Sequence, residues 1–239
     1  DDRDKILLNM PKGSRSSLLV DSGIILSKSE HLLNLIEGSN VCVQDAGAQA
    51  LLNFLPATAG INNILDAGAA PGGKTALLSD FYKKSSILAV DNSEQRLKTL
   101  EKNIKSWNIS NVKIMQQDLT NITTINDVYD LIVLDAPCTG SGVISRQPDI
   151  KNKINKRYLA QCVNKQRKMF FNLWSLLQEG GYFIYATCSI LKKEGHSQID
   201  FFSDNLKDLV VVNKDCYMEY ILPTEWNNGF YFCLLQKNQ

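Results

Sequence analysis

The sequence predicts an α/β fold built on a mostly parallel sheet with helices on both faces. From Val43 onward, short apolar runs alternate with longer amphipathic segments, which is typical of strands connected by helices. The first of these strands, at 62–66, ends in a glycine-rich segment that leads into a helix. In open α/β sheets this is the position at which ligands bind.

The apolar runs define the strands of this sheet in chain order. Strands are predicted at 62–66, 86–91, 112–115, 130–135, 181–187, 208–213 and 229–236. Helices are predicted at 46–55, 73–83, 93–107, 155–178 and 192–206. Pro223 and the turn at 227–229 leave no room for a helix before the last strand, so we expect that strand to be antiparallel to the others. Residues 1–42 precede the pattern and form a short N-terminal extension, and the main domain spans 43–239.

The composition is that of a globular protein, with 44% hydrophobic and 21% charged residues. Its formal net charge of +1 means that any nucleic-acid contact must come from a local basic patch. The six cysteines include no C-x-x-C pair and there are two histidines, so no metal site is expected. Free thiols and the lack of a long apolar run indicate a cytoplasmic protein without membrane contact, which we expect to be a monomer.

The glycine-rich segment from Gly68 to Thr75 matches two motifs. As G-x-x-x-x-G-K-T it is formally a P-loop, and Asp135 after a later apolar run would hold the magnesium of such an NTPase. Alternatively, the glycines let the backbone approach a nucleoside cofactor. Asp91 ends the second strand 23 residues after Gly68, near the roughly 20-residue spacing of a ribose-binding acid, and Asp118 follows the third strand. The P-loop interpretation has no use for these two acids, so the nucleoside loop is favoured.

Cysteines follow two of the predicted buried strands. Cys138 follows the strand at 130–135, and Cys188 follows the strand at 181–187. Because a single helix connects these strands, we expect the two thiols to meet at neighbouring strand ends, where they indicate covalent chemistry. Lys74, at the start of the helix after the glycine loop, would either lower the pKa of a neighbouring thiol or pair with Asp66 or Asp135.

With these motifs the chain resembles the RNA cytosine-5 methyltransferases of the Nop2/Sun group. The matching runs are 43–49, 65–75, 90–91, 94–97, 134–144, 146–151 and 185–189. The resemblance implies a Rossmann-like methyltransferase fold, S-adenosylmethionine as methyl donor and a cytosine in RNA as acceptor. The run at 146–151 favours small-subunit (16S) rRNA over tRNA or large-subunit rRNA. Relatives carry an amino-terminal RNA-binding domain, so residues 1–42 are expected to be the end of a connecting domain.

The resemblance also implies roles for single residues. Cys188 would attack carbon 6 of cytosine, Cys138 would assist breakdown of the adduct, and Asp135 would hydrogen-bond the cytosine edge near N3. The residues expected to bind the cofactor are Gly68, Ala69, Ala70, Pro71, Gly72, Gly73, Lys74, Asp91, Asp118 and Asp135. Chemistry alone does not choose between the two thiols, because the Pro-Cys cysteine attacks in DNA cytosine methyltransferases. After Cys188 the chain keeps one acid of the Pro-Glu-Glu-Asn-like run usual in the family and loses the asparagine.

A basic segment follows the Cys138 motif. Residues 151–168 include seven lysines and arginines and no acid. This segment is either a solvated helix face or a contact surface for RNA phosphates, and its position beside the catalytic motif favours phosphate contact. The candidate RNA-binding residues are Arg146, Lys151, Lys153, Lys156 and Arg157. A non-catalytic RNA-binding assembly factor is the alternative from another class, but such a protein would not need both thiols.

Overall fold

The computed structural model describes residues 43–212 and 220–238, together with residues 7, 8, 10, 12, 14–21 and 23–26 of the N-terminal extension. His31, Cys42 and Cys216, which the sequence left without a role, lie outside the described residues. In the N-terminal extension, β1 (Arg15–Ser16) and β2 (Ile24–Ile25) form an antiparallel hairpin. Among the described residues, no helix is both long and apolar enough to cross a membrane.

One central sheet contains all seven predicted strands. Its strands are β3 (Asn63–Ala67), β4 (Ser86–Asp91), β5 (Val112–Gln116), β6 (Tyr129–Asp135), β7 (Leu177–Thr187), β8 (Leu209–Val211), β9 (Tyr220–Ile221) and β10 (Phe230–Lys237). The order is β5-β4-β3-β6-β7-β10-β8, and β9 pairs with β10. The last strand, β10, is antiparallel to β7 and β8, as predicted. The sequence missed β9, because two residues are too few to show a period.

The helices connect these strands. They are α1 (Ala46–Gln49), α2 (Gly73–Phe81), α3 (Glu94–Ser106), α4 (Ile150–Lys153), α5 (Lys156–Trp174) and α6 (His196–Asn205). The predicted helix at 46–55 is only partly α-helical, since it continues as a 3-10 helix over Ala50–Phe54. Leu55 then adopts an extended conformation, as expected for a residue before proline. The predicted helix at 192–206 likewise divides into a 3-10 turn, Lys192–Glu194, and α6.

Helices cover both faces of the sheet. On one face α5 and α6 pack Phe170, Trp174 and Phe202 against strand residues such as Leu65 and Phe183. On the other face α2 and the 3-10 helix pack Leu78 and Phe54 against the alternate strand positions, beginning with Ile64. Phe170 and Trp174 are therefore core residues, and so are Cys162 and Cys233. The parallel strands end at one edge of the sheet, where the motif residues follow them.

Candidate active site

Parallel strands β6 and β7 bring the two predicted cysteines together. Asp135, the last residue of β6, lies opposite Ala186 of β7, and the chain leaves both strands at the same edge. The Sγ atoms of Cys138 and Cys188 are 3.3 Å apart. Both side chains are partly buried and line one cleft of about 230 Å³. The predicted meeting of the two thiols is confirmed.

The surroundings of the two thiols are unequal. A hydrogen bond from Cys138 lowers the pKa of Cys188; burial and the Asp135 charge oppose this shift, and the Lys74 ammonium adds to it. The same hydrogen bond raises the pKa of Cys138, together with burial, the Cys188 charge and the Glu194 charge. Both shifts favour the proton on Cys138 and the thiolate on Cys188.

Lys74 fulfils both roles that its position suggested. Its side chain is 11% exposed, and Nζ donates a hydrogen bond to Oδ2 of Asp135 at 2.7 Å. Burial lowers the pKa of Lys74, but the charge and hydrogen bond of Asp135 outweigh it and leave that pKa raised. The ammonium therefore stays protonated, pairs with Asp135 and stabilises a thiolate on Cys188.

The glycine loop depends on its first glycine for its close approach to β6. Gly68 has a φ of +83°, and a Cβ atom on it would lie 2.6 Å from the carbonyl oxygen of Asp135. Its amide and that of Ala69 both donate to the carbonyl of Val90 at the end of β4. Only glycine combines this backbone conformation with so short a separation. Gly68, directly after β3, and Asp91, the last residue of β4, line the same cleft.

The end of the loop differs from a working P-loop. The hydroxyl of Thr75, which a P-loop presents to magnesium, is fully buried and donates to Oδ2 of Asp66 at 2.6 Å. The position of Asp66 in β3 directs its side chain toward Thr75 of α2. Burial raises the pKa of Asp66 to about 6.

The two acids predicted to follow the strands line the same cleft as the thiols. Asp91 is buried, and its Oδ1 accepts from the amide of Ser93 at 3.0 Å. Asp118 is exposed, and hydrogen bonds from the amide and hydroxyl of Thr120, each 2.8 Å long, lower the pKa of Asp118. Carboxylates thus stand where a ribose and an adjoining base are expected.

Arg96 is a contributor that the sequence did not single out. Its Nη1 lies 3.0 Å from Oδ2 of Asp91, as an ion pair, and its Nη2 donates to the carbonyl of Ala70. One guanidinium therefore joins Asp91 to the glycine loop. The signal available in the sequence was its position in the first turn of α3, five residues after Asp91.

Glu194 is a second residue whose importance the sequence did not reveal. It is fully buried, and its two carboxylate oxygens accept hydrogen bonds from Thr139 beside Cys138, from Ser189 beside Cys188 and from Gln166 of α5. It is the acid retained from the family run after Cys188. The available signal was its position six residues after that cysteine, but its partners are distant in sequence.

The candidate RNA-binding residues fall into two groups. Arg146 and Lys153 already form ion pairs, with Asp45 at 2.5 Å and with Asp149 at 2.6 Å respectively. The other three, Lys151, Lys156 and Arg157, are exposed at or near α4 and the start of α5. Lys165, further along α5, lines the cleft itself. Basic side chains therefore extend from the cleft along the adjoining surface.

The sheet order, the glycine loop and the strand-end acids define a class of protein, the S-adenosylmethionine-dependent methyltransferases. Residues 53–232 match the family model described as 16S rRNA methyltransferase RsmB/F. The chain belongs to this family, and the resemblance to the Nop2/Sun group is confirmed. The prediction that S-adenosylmethionine, the cofactor of this class, is the cofactor is thereby confirmed.

Similar proteins agree with this placement. The chain is 36% identical over 210 residues to ribosomal RNA small subunit methyltransferase B of Proteus mirabilis, covering 87% of this chain and 48% of that protein. A methyltransferase homolog from Pyrococcus horikoshii has a TM-score of 0.79 at 25% identity, covering 99% of this chain and 82% of the other. NSun6 from the same organism, in a structure with SFG, has a TM-score of 0.77 at 26% identity, covering 89% and 56%. The chain spans about half the length of the curated relatives it matches.

Proposed function

We propose that this chain transfers a methyl group from S-adenosylmethionine to carbon 5 of a cytosine in small-subunit rRNA. The observation that supports this most strongly is the pair of thiols, 3.3 Å apart, in the cleft that Gly68 of the glycine loop also lines. A cofactor-binding methyltransferase without covalent chemistry has no use for two converging thiols. The match to the 16S rRNA family supports the substrate class.

The residues of the cleft fit the cofactor. Gly68 leaves room where any side chain would collide with β6, and Asp91 and Asp118 present carboxylates that can accept from ribose hydroxyls and from an adenine amine. The loop from Ala69 to Gly73 would hold the amino-acid part, near Lys74 and Asp135. When bound, S-adenosylmethionine supplies an electrophilic methyl group.

The first chemical task of the protein is to make carbon 5 of cytosine nucleophilic. We infer that the thiolate of Cys188 adds to carbon 6, and the electron pair of the 5,6 double bond moves to carbon 5 and the ring. This splits one difficult step into two easier ones. The hydrogen bond from Cys138 and the charge of Lys74 support this assignment, because both favour the thiolate at Cys188.

Release of the product needs the reverse elimination. After methylation, the proton on carbon 5 passes to water, the electron pair of that C–H bond restores the 5,6 double bond, and the carbon–sulfur bond breaks with its electron pair returning to Cys188 as the thiolate. Cys138 lies 3.3 Å from the leaving sulfur, in position to assist this breakdown. Asp135, which lines the cleft with one oxygen held by Lys74, would hydrogen-bond the cytosine edge near N3.

The target base must leave any base stack, because the thiolate approaches the face of the ring. We propose that the exposed basic residues Lys151, Lys156 and Arg157 bind phosphates of the RNA strand beside the flipped cytosine. Arg146 and Lys153 would add positive charge at the edge of this basic surface.

Bisulfite sequencing of RNA from cells with and without the gene tests the substrate. Loss of a single 5-methylcytosine in small-subunit rRNA is the expected result. Loss of one in tRNA or large-subunit rRNA would retain the chemistry and contradict the proposed RNA. No change in any rRNA or tRNA would contradict the function itself.

A further inference from the structure

Glu194 joins the loops that carry the two thiols. Its Oε1 accepts from the backbone N–H of Thr139 at 2.9 Å and from Nε2 of Gln166 at 3.1 Å. Its Oε2 accepts from the hydroxyls of Thr139 and Ser189 at 2.5 and 2.6 Å. Thr139 follows Cys138 and Ser189 follows Cys188, so one carboxylate fixes the residue next to each thiol.

The donors around Glu194 are neutral. In the described part of the chain, its carboxylate is fully buried and has two hydroxyls, one amide side chain and one backbone N–H as hydrogen-bond partners. Lys74, the ammonium of the site, is instead paired with Asp135. The negative charge of Glu194 therefore lies beside the Cys138 loop without a cationic hydrogen-bond partner, whereas the Lys74–Asp135 ion pair lies on the Cys188 side.

We propose that Glu194 is a positioning residue that holds the Cys138 and Cys188 loops together and keeps the shared proton on Cys138. The roles of the two thiols in methyl transfer rest on the proposed function, but the position of the proton does not. Besides each other, the titratable groups that act on the pair are Lys74, Asp135, Tyr158, Tyr185 and Glu194. Among these five, Glu194 is the one that holds both loops by hydrogen bonds.

A glutamine can replace Glu194 without loss of these contacts. Its carbonyl oxygen would take the place of Oε1, which faces two N–H donors. Its amide nitrogen would take the place of Oε2, which faces two hydroxyls that can accept as well as donate. Glu194→Gln therefore removes the negative charge and retains the connection between the loops.

The test is alkylation of the folded protein by iodoacetamide at low conversion between pH 6 and pH 10. Cys138 and Cys188 lie on different tryptic peptides, 114–146 and 169–192, so mass spectrometry measures each rate separately. In the wild-type protein we expect Cys188 to react first. In Glu194→Gln the ratio of Cys188 to Cys138 alkylation should fall by roughly three- to tenfold, and the Cys138 profile should move to lower pH.

Asp130→Asn is the matched control. Asp130 is also a buried carboxylate, and its Oδ2 accepts from the amides of Asn62 and Asn63 at 2.7 Å, at the opposite end of β6. This variant tests whether loss of any buried carboxylate disturbs the thiols, and it should leave both alkylation profiles unchanged. The same fall in the ratio in Asp130→Asn would overturn the proposal.

Thr139→Val provides a second, independent variant. It removes one hydroxyl donor from Glu194, so that fewer hydrogen bonds compensate the negative charge of the carboxylate. That charge should then act more strongly on Cys138. The pH profile of Cys138 alkylation should therefore move to higher pH, opposite to the effect of Glu194→Gln. Shifts of the two variants in the same direction, or no shift in either, would overturn the proposal. If Glu194→Gln does not fold, Thr139→Val alone decides by the direction of its shift. The assay uses neither RNA nor cofactor, so its failure is distinguishable from failure of the proposed function.

Discussion

At the scale of single residues, the site depends on acids and thiols that follow strands of a parallel sheet. Cys138, Cys188, Asp91 and Asp118 were predictable because each lies at or within three residues of the end of a predicted strand, and parallel strands end at one edge. Glu194 was not predictable in this way, because it lies in a 3-10 turn and its partners come from three separate segments. Sequence pattern thus identifies what a strand places at the edge, but not what is hydrogen-bonded there by a later loop.

Burial of Asp66 should make the difference in stability between the wild type and Asp66→Asn depend on pH. Burial raises the pKa of Asp66 to about 6, from 3.8, so the folded state binds this proton more tightly than the unfolded state. The stability from this group is therefore present below pH 3.8 and is lost as the pH rises toward 6.

The Asp66→Asn variant should not lose stability as the pH rises in this way, because asparagine does not ionise. The difference in unfolding free energy, variant minus wild type, should grow with pH by up to about 3 kcal/mol between pH 4 and pH 8. Urea denaturation at these two pH values measures it, and a difference that stays constant with pH would contradict the assignment.

Substitution of Asp91 should weaken cofactor binding. Asp91→Asn removes the charge that pairs with Arg96 and weakens an acceptor for the ribose hydroxyls. We expect the binding free energy of S-adenosylmethionine, measured by titration calorimetry, to weaken by about 1–3 kcal/mol. Glu94→Gln is the control, because Glu94 lies in the same helix as Arg96 and pairs with Lys98 at the surface. Equal losses in both variants would contradict the role of Asp91.

At the scale of elements, periodicity located the main strands and the long helices, and it failed where local geometry departs from a regular period. The strand predicted at 181–187 begins four residues earlier, at Leu177. Its first residues include the polar Glu179 and Gly180, and its register against β6 shifts there, so the apolar pattern does not mark the start of the strand. Helix α4 was missed because four residues are a single turn. The order of the strands, by contrast, could be anticipated from the crossover helices and the cofactor loop.

Helix α5 connects the two strands that carry the thiols, so its packing supports the site. The Phe170 ring is fully buried, and its centroid lies 3.6 Å from that of Phe202 in α6. Phe170→Ala should lower the free energy of unfolding by about 3–5 kcal/mol, measured by urea denaturation. Lys168→Ala, at an exposed position of α5, should change it by less than about 0.5 kcal/mol. A loss below 1 kcal/mol for Phe170→Ala would show that this contact does not hold α5.

At the scale of the whole molecule, the net charge of +1 hides a local basic surface beside the cleft. If this surface binds RNA phosphates, Lys156→Ala/Arg157→Ala should weaken RNA binding and reduce the slope of log affinity against log salt by about 1.4. Filter binding at several salt concentrations measures the slope. Lys83→Ala/Lys84→Ala, at the far end of α2, makes the same formal change of charge and should leave the slope unaltered. An unchanged slope in the Lys156/Arg157 variant would contradict phosphate contact at α5.

The central claim concerns the whole arrangement, in which two strands place two thiols together with separate tasks. The most direct measurement is a denaturing gel of Cys138→Ala and Cys188→Ala after incubation with small-subunit rRNA and S-adenosylmethionine. We predict that Cys138→Ala accumulates an RNA–protein adduct that survives denaturation, since it can attack but not release, and that Cys188→Ala forms no adduct and transfers no methyl group. An adduct in Cys188→Ala and none in Cys138→Ala would contradict the assignment of the two thiols.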